Sequence, residues 1–438
     1  MIPAAMLAAE PQPTHATAGA ELPRLLSSSA PDRATTLEEH LAAHGELAPP
    51  RRRGRETGLI AEIDHAGLRG RGGAGFPTAR KLRAVAASRK KPVVVLNATE
   101  GEPASRKDAT LVTSVPHLGL DGAVLAARAL GADEVIVAVC ETAGESIDAL
   151  ARAIAERGTE RHGPRIELRP TPPGYLAGQE SALISHLNGG PGLPRFLGPM
   201  PFERGVGGRP TMLSNVETYS HIGLIGRHGA DWFRELGTDT EPGSALVTIS
   251  GVVADEGVYE IEWGTRLRAL VQAAGGMTAA PRAALLGGYG GTWVGAEHLA
   301  ELTLSDAALA RHGASLGAGV VFLLDGAACP VAETARVVRW MADQSAHQCG
   351  PCANGLPALA GELEQLTHGV PAPAAPQRIE ALAALVRRRG ACGHPDGVSR
   401  MALSAIATFP DEFHDHAARG RCEACSAPSR LPLGAIRR

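Results

Sequence analysis

Residues 67–78 read Gly-Leu-Arg-Gly-Arg-Gly-Gly-Ala-Gly-Phe-Pro-Thr, and Lys81 follows within a turn. Glycine at positions 67, 70, 72, 73 and 75 strips the side chains from this stretch. Backbone so bare can press its N–H groups against a phosphate or a flat aromatic ring. Arg69, Arg71 and Lys81 add positive charge beside it. The chemistry these residues fit is the binding of an anionic, phosphate-bearing cofactor. Gly70, Gly72 and Gly75 also satisfy the dinucleotide fingerprint, which needs a strand before it and a helix after it. Leu59, Ile60 and Ile63 are spaced as one face of a helix instead, the wrong context for that turn. A flexible linker is the plain alternative, but linkers rarely close on Phe-Pro as this loop does at Phe76.

Thiols form the second concentration of chemistry. Of seven cysteines, Cys349, Cys352, Cys392, Cys422 and Cys425 crowd the last quarter of the chain, and Cys140 and Cys329 stand apart. This is too sparse for a disulfide scaffold, and clustering of this kind points to metal or redox chemistry. Cys349 and Cys352 form a Cys-x-x-Cys pair, with Cys392 forty residues further on. Cys422 and Cys425 form a second pair, which also reads as half a zinc site or a redox-active dithiol. Cys140, ending an apolar run, reads as core, and Cys329 as structural.

Three other segments carry polar acceptors among glycines. Asn97, Glu100 and Glu102 follow a Val-rich run, where an α/β sheet presents ligand groups. Taken alone, they also suit a solvated acidic turn. Tyr175, Gly178 and Glu180 lie in a second segment, with Gln179 between the last two. Asn215 and Thr218 lie in a third, where Ser214 or Asn215 suits a helix N-cap. A capped helix end itself favours a phosphate.

Together these motifs resemble the NADH-oxidising flavoprotein subunit of respiratory complex I, a family shared by diaphorase subunits of soluble hydrogenases and NAD-linked formate dehydrogenases. The NADH-side subunit of Rnf complexes carries a shorter version of the loop. The resemblance spans roughly residues 55–420. It implies that Gly70, Arg71, Gly72, Gly73, Gly75, Phe76 and Lys81 contact FMN or NADH, with Lys81 on the FMN phosphate or an electron-rich ring edge. It implies that Asn97, Glu100 and Glu102 hold ribityl or ribose hydroxyls, and that Tyr175, Gly178, Glu180, Asn215 and Thr218 line the flavin site.

Three positions depart from the family pattern. Thr99 stands for an Asp, Gln179 for a Glu near the flavin, and Ala346 for the first of the family's four cluster cysteines. A 4Fe–4S cluster would then keep Cys349, Cys352 and Cys392, with its fourth ligand drawn from His347, Cys422 or Cys425. Leu82 and Ala84 stand where adenine-stacking aromatics often follow the lysine, and Phe202 and Tyr219 are substitutes to consider. The implied activity is oxidation of NADH or NADPH, passing electrons through FMN and an iron–sulfur cluster to a protein acceptor. An Rnf-like reductase of ferredoxin or a membrane haem protein is one alternative. An assembly subunit with impaired NADH oxidation is another.

These residues need a framework to hold them. At 438 residues, with 44% hydrophobic and 20% charged, the chain suggests about three soluble domains. A net charge of -3 argues against a nucleic-acid surface. No apolar run approaches the ~18 residues of a membrane span, and no secretory signal is evident, so a cytoplasmic location is expected, if need be beside a membrane redox complex. Residues 1–50 read as disordered apart from a short helix at 36–43. Strands at 92–98, 134–139 and 165–168, alternating with helices at 118–130 and 144–157, predict a parallel-sheet α/β domain over 51–243. Short strands and one helix at 266–274 predict a β-grasp domain over 244–330. A bundle of about four helices over 331–420 and a cysteine-bearing tail at 421–438 complete the expected order.

Overall fold

A computed structural model describes residues 22–27, 33–47, 52–53, 56–158, 163–196 and 198–434. Its first sheet has four parallel strands in the order Arg165–Thr171, Glu134–Cys140, Val93–Ala98, Thr211–Asn215. Alternation along the central strand feeds two cores. Val94 and Leu96 pack with Leu118, Leu120 and Ile222 of helices Pro116–Leu130 and Val216–His228. Val93 and Val95 pack with Leu183 and Ile184 of helix Glu180–Leu187 on the opposite face. Such two-sided burial is why the two inner strands carry continuous apolar runs, at 93–96 and 135–139.

The strand Thr211–Asn215 is not legible as one in the sequence, where 208–218 suggests only a helix start. Both are present, because Asn215 ends the strand and caps helix Val216–His228.

The second sheet is mixed, in the order Thr292–Gly295, Pro281–Leu286, Val320–Asp325, Ser244–Gly251, Gly257–Glu262. Its central pair, Val320–Asp325 beside Ser244–Gly251, is parallel, and the outer pairings are antiparallel. One face packs on Leu267, Leu270 and Val271 of helix Leu267–Ala273. The other face joins the C-terminal helices through Leu285, Phe322 and Leu324.

Five helices follow, against the four expected: Pro330–Asp343, Leu356–Gln365, Ala375–Val386, His394–Thr408 and Pro410–Arg419. Pro410 at the first turn separates the last two, since proline cannot donate the hydrogen bond that would continue a helix. No single described helix is long and apolar enough to cross a membrane.

Within 1–50, residues 1–21, 28–32 and 48–50 lie outside the described residues, and the short helix expected at 36–43 is present as Leu37–His44. Helix Leu37–His44 is closed by a capping box between Thr36 and Glu39. Upstream, Leu25 is fully buried, and the Glu260 carboxylate accepts the backbone N–H groups of Arg24 and Leu25, both at 2.8 Å. The apolar anchor and the buried acceptor hold this otherwise low-complexity segment to the body.

Candidate functional site

The glycine loop runs from helix Gly58–Ala66 to helix Thr78–Ala86. A helix therefore precedes it, as the spacing of Leu59, Ile60 and Ile63 predicts. The Gly70 N–H donates to the Phe76 carbonyl (2.9 Å) and Arg69 Nε to the Gly75 carbonyl (3.0 Å), which folds the loop back on itself. Gly73 at φ 102° and Gly75 at φ 59° take backbone conformations that side chains disfavour. Gly72 lies against Asn215, where a Cβ would sit 3.4 Å from the asparagine Cβ.

Thr218 fixes the loop from the other side. Its Oγ1 accepts the Arg71 N–H at 2.9 Å. Arg71 is buried, donates to the Ser244 carbonyl (2.9 Å) and lies 5.0 Å from the Trp263 ring centroid. Its Nε is buried without a partner among the described residues. The loop and Arg71 form one wall of a cleft of about 570 Å³, including its open mouth. Lys107 and Glu217 lie at its floor, and Trp263, Leu316 and Gly317 of the mixed-sheet unit face the loop.

Sequence reading missed Lys107 because it follows no glycine motif. Its ammonium is buried 2.6 Å from Asp108, 2.9 Å from Glu217 and 3.4 Å from Asn215 Oδ1. Burial alone would lower its pKa, but the Asp108 and Glu217 carboxylates outweigh it and hold the lysine charged well above its ordinary value.

Lys81 Nζ is 2.8 Å from Glu180 Oε1 and donates to the Leu213 carbonyl at 2.9 Å. Gln179 caps helix Glu180–Leu187 by accepting the Ala182 N–H (2.9 Å). Asn97 binds the neighbouring loop through the Gly178 carbonyl (3.0 Å), and its Oδ1 accepts the Thr99 N–H (3.0 Å). Approach at this seam is close: a Cβ on Gly178 would lie 2.7 Å from the Thr99 carbonyl oxygen. Thr99 Oγ1 is buried without a partner among the described residues.

The two glutamates of this strand end are engaged by the protein. Glu100 accepts Ser105 Oγ (2.6 Å) and the N–H groups of Asp108 and Ala109 at the start of helix Lys107–Ser114. Glu102 accepts the N–H groups of Tyr289 (2.9 Å) and Ala104 (3.3 Å). Burial raises both carboxyls to about 7, with the Asp108 charge adding to the shift at Glu100. Tyr175 stands edge-on to Trp340 at 5.8 Å, and its N–H donates to Gln344.

Phe76 is 40% exposed, and the Arg80 guanidinium lies 5.5 Å from its ring centroid. Tyr219 is no substitute aromatic, since it is fully buried and donates to the Met212 carbonyl at 2.7 Å. Phe202 packs against the same core. Leu82 is fully buried too, so an aromatic at that position would face the core.

Cys349, Cys352 and Cys392 form one electrostatic group. Burial pushes Cys349 up, but N–H groups of Cys352 and Ala391 outweigh it and leave that thiol below its ordinary value. Burial pushes Cys352 up to about 12, against an N–H bond from Ala346. Amide donors aimed at sulfur are what an anionic, metal-bound thiolate needs.

Of the three candidates for the fourth ligand, Cys422 and Cys425 lie in another group of side chains. They meet Cys329 and His416 instead, all four ligand atoms lying within 4.8 Å of one another. Cys329 is thus no isolated core cysteine. The tail is tied down beside helix Pro330–Asp343, where Arg336 donates to the carbonyls of Cys425 (2.7 Å) and Ala427 (2.6 Å). His347 is exposed at φ 51°, two residues before Cys349.

The cleft fits a phosphate-bearing flavin, because it combines bare backbone, a buried guanidinium with a spare donor and a buried ammonium. The first thiol group fits an iron–sulfur cluster in three of its four positions.

The chain is similar to known proteins. The family model described as the Nuo51 FMN-binding domain matches residues 63–224. That of the NADH-ubiquinone oxidoreductase-F iron-sulfur binding region matches residues 332–416. The NADH-quinone oxidoreductase F subunit of Mycobacterium tuberculosis H37Rv is 32% identical over 384 residues, covering 83% of this chain and 85% of that protein. Its Escherichia coli K12 counterpart is 31% identical over 377 residues, covering 81% and 83%. The alpha subunit of the NAD-reducing hydrogenase HoxS of Cupriavidus necator is 31% identical over 378 residues, covering 82% of this chain and 61% of that protein. A crystal structure of an NAD+-reducing NiFe hydrogenase in the H2-reduced state superposes with a TM-score of 0.76 at 32% identity, covering 82% of this chain and 62% of the hydrogenase chain.

Proposed function

The chain belongs to the family of NADH-quinone oxidoreductase F subunits, and from that premise we propose that it oxidises NADH at an FMN held by the glycine loop and passes the electrons to a partner protein. Bound FMN would accept hydride from the nicotinamide and release two electrons singly to an iron–sulfur cluster. The protein's own part is binding, orientation and charge.

Arg71, with its spare Nε, and the loop of Gly70, Gly72, Gly73 and Gly75 are assigned to the flavin phosphate side. Lys81 is assigned to the cofactor too, with Glu180 as the residue that orients its ammonium. Asn97 and Thr99 offer acceptors to hydroxyls, and the unpartnered Thr99 Oγ1 supports that assignment. Glu100 and Glu102 act through position: their backbone hydrogen bonds fix the turn that follows strand Val93–Ala98. Asn215 and Thr218 brace the loop from the helix behind it. Tyr175 and Gly178 shape the opposite rim, and Phe76 offers an exposed ring face for adenine.

Cys349, Cys352 and Cys392 are assigned to a 4Fe–4S cluster. With Cys422 and Cys425 engaged elsewhere, His347 is the remaining choice for its fourth ligand.

Domain limits of 51–243, 244–330, 331–420 and 421–438 are part of the same reading. The mixed sheet is read as a β-grasp unit, supported by its parallel central pair and the helix Leu267–Ala273. A cytoplasmic setting, within a multi-subunit redox assembly, suits a chain of this family.

The observation that carries the proposal is the convergence of the glycine loop, buried Arg71 and buried Lys107 on one cleft, with Thr218 fixing the loop through the Arg71 N–H. Anaerobic titration of the purified protein with NADH, and separately NADPH, tests it. Bleaching of the flavin band by NADH, with reduction of an added acceptor, is expected. A protein that stays colourless after reconstitution with FMN, iron and sulfide would overturn it and favour a scaffold.

A further inference from the structure

Four ligand atoms outside the flavin cleft surround a single point. Cys329 caps helix Pro330–Asp343, His416 lies in helix Pro410–Arg419, and Cys422 and Cys425 lie at the short turn Glu423–Ser426. Cys425 Sγ is 3.7 Å from Cys422 Sγ and 3.7 Å from Cys329 Sγ. Cys329 Sγ is 3.5 Å from His416 Nε2. A tetrahedron with zinc–sulfur bonds of about 2.3 Å and zinc–nitrogen bonds of about 2.0–2.1 Å has S–S edges of roughly 3.8 Å and S–N edges of roughly 3.5 Å. Three of the six separations match those edges, and the others lie within 4.8 Å. They are far longer than a disulfide bond of about 2.0 Å. They are also too short for a cubane, which places each thiolate on a separate iron.

The surroundings are those of a metal ligand set. His416 Nδ1 lies 2.8 Å from the Leu366 carbonyl, which holds the proton on Nδ1 and leaves the Nε2 lone pair for a metal. Cys329 Sγ accepts the Ala332 N–H at 3.4 Å. Cys329, Cys425 and His416 are buried, so a divalent cation would offset thiolate charge where water cannot.

We propose that Cys329, His416, Cys422 and Cys425 bind one zinc ion in a closed, structural site separate from the iron–sulfur ligands. Three thiolates and an imidazole select zinc among the common divalent ions, and four protein ligands leave no position for substrate. Binding displaces the thiol protons to solvent and changes no oxidation state. The site ties the start of one helix and the end of another to the tail. Beyond it, Glu333 accepts Ser429 Oγ (2.9 Å) and the Arg430 N–H (3.0 Å), and the Trp340 indole donates to the Gly434 carbonyl (2.8 Å). The zinc thus anchors a segment that packs along the helix leading to Cys349.

The test is metal analysis of the full-length protein, purified after growth with both zinc and iron. One equivalent of zinc is expected in addition to the cluster iron. A Cys422→Ser, Cys425→Ser double variant should lose the zinc, keep its iron and become sensitive to trypsin at Arg421 and Arg430. A Cys349→Ala variant should lose iron and keep zinc. Should the double variant fold poorly, a thiol-reactive mercurial added to the intact protein still decides the matter, since it should release zinc stoichiometrically. Zinc below a tenth of an equivalent, iron at the quartet, a Cys422–Cys425 disulfide, or iron loss in the double variant would each overturn the proposal. Failure of NADH to bleach the flavin would leave the zinc count untouched, so the two readings fail separately.

Discussion

Replacing Lys107 with methionine removes one buried charge and keeps most of the side-chain volume. The ammonium lies 2.6 Å from Asp108 and 2.9 Å from Glu217, with all three side chains nearly inaccessible. At an effective dielectric of about 20, a unit pair some 3 Å apart attracts by roughly 5–6 kcal/mol. Desolvation cancels much of that in the intact pair, but removal of one partner leaves carboxylates buried without compensation. The expected loss is therefore about 3–5 kcal/mol of folding free energy. Urea unfolding of the FMN-free protein, followed by circular dichroism, measures it. Adding Glu217→Gln to the lysine variant should restore at least ~1 kcal/mol relative to additivity. A single-variant loss below ~1 kcal/mol, or strictly additive losses, would refute the claim that these charges hold the cleft floor together.

Glu102 gives a pH dependence of defined sign. Its carboxyl titrates near 7 in the folded protein against 4.5 in the unfolded chain, so the folded state binds the extra proton between those values. Its contribution is full below about pH 4.5 and is lost as pH rises through about 7, a swing of about 3 kcal/mol. Glu102→Gln should flatten the stability slope over that window, and an unaltered slope counts against the assignment. Gln179→Glu should keep the helix cap at Ala182 yet lower the flavin potential by something on the order of tens of millivolts, read by redox titration. No change in potential would remove Gln179 from the flavin's electrostatic surroundings. Ala346→Cys, which restores the family's first cluster cysteine, should increase bound iron and slow its loss in air; unchanged iron would mean that position 346 does not face the cluster.

Strands with buried faces announced themselves in the sequence, because Val93–Ala98 and Glu134–Cys140 contain β-branched and aliphatic runs at 93–96 and 135–139. Thr211–Asn215 carries polar residues at three of its five positions, and its identity as a strand comes from pairing with Val93–Ala98. The glycine loop was legible because bare backbone leaves few other uses for so many glycines. Lys107 was not, since its partner Glu217 is brought to it only by the packing of two helices. The quartet of three cysteines and one histidine was half legible. The Cys422–Cys425 spacing suggests a metal, but Cys329 lies 96 residues from Cys425, and no local pattern joins them. His416 carries no signal of its own beside the other histidines near it. Burial decided one further case: Tyr219 looks available for stacking in the sequence, and its side chain is fully enclosed.

The wall facing the glycine loop belongs to a different lump of hydrophobic core. Gly317 approaches Gly73 to within 3.8 Å of where a Cβ would sit, and Trp263 lies over Arg71. A guest lodged there would touch both lumps along one seam. A polypeptide folding on the ribosome can complete that seam only after residue 325 has emerged, because the strand that ends there lies at the centre of the second sheet.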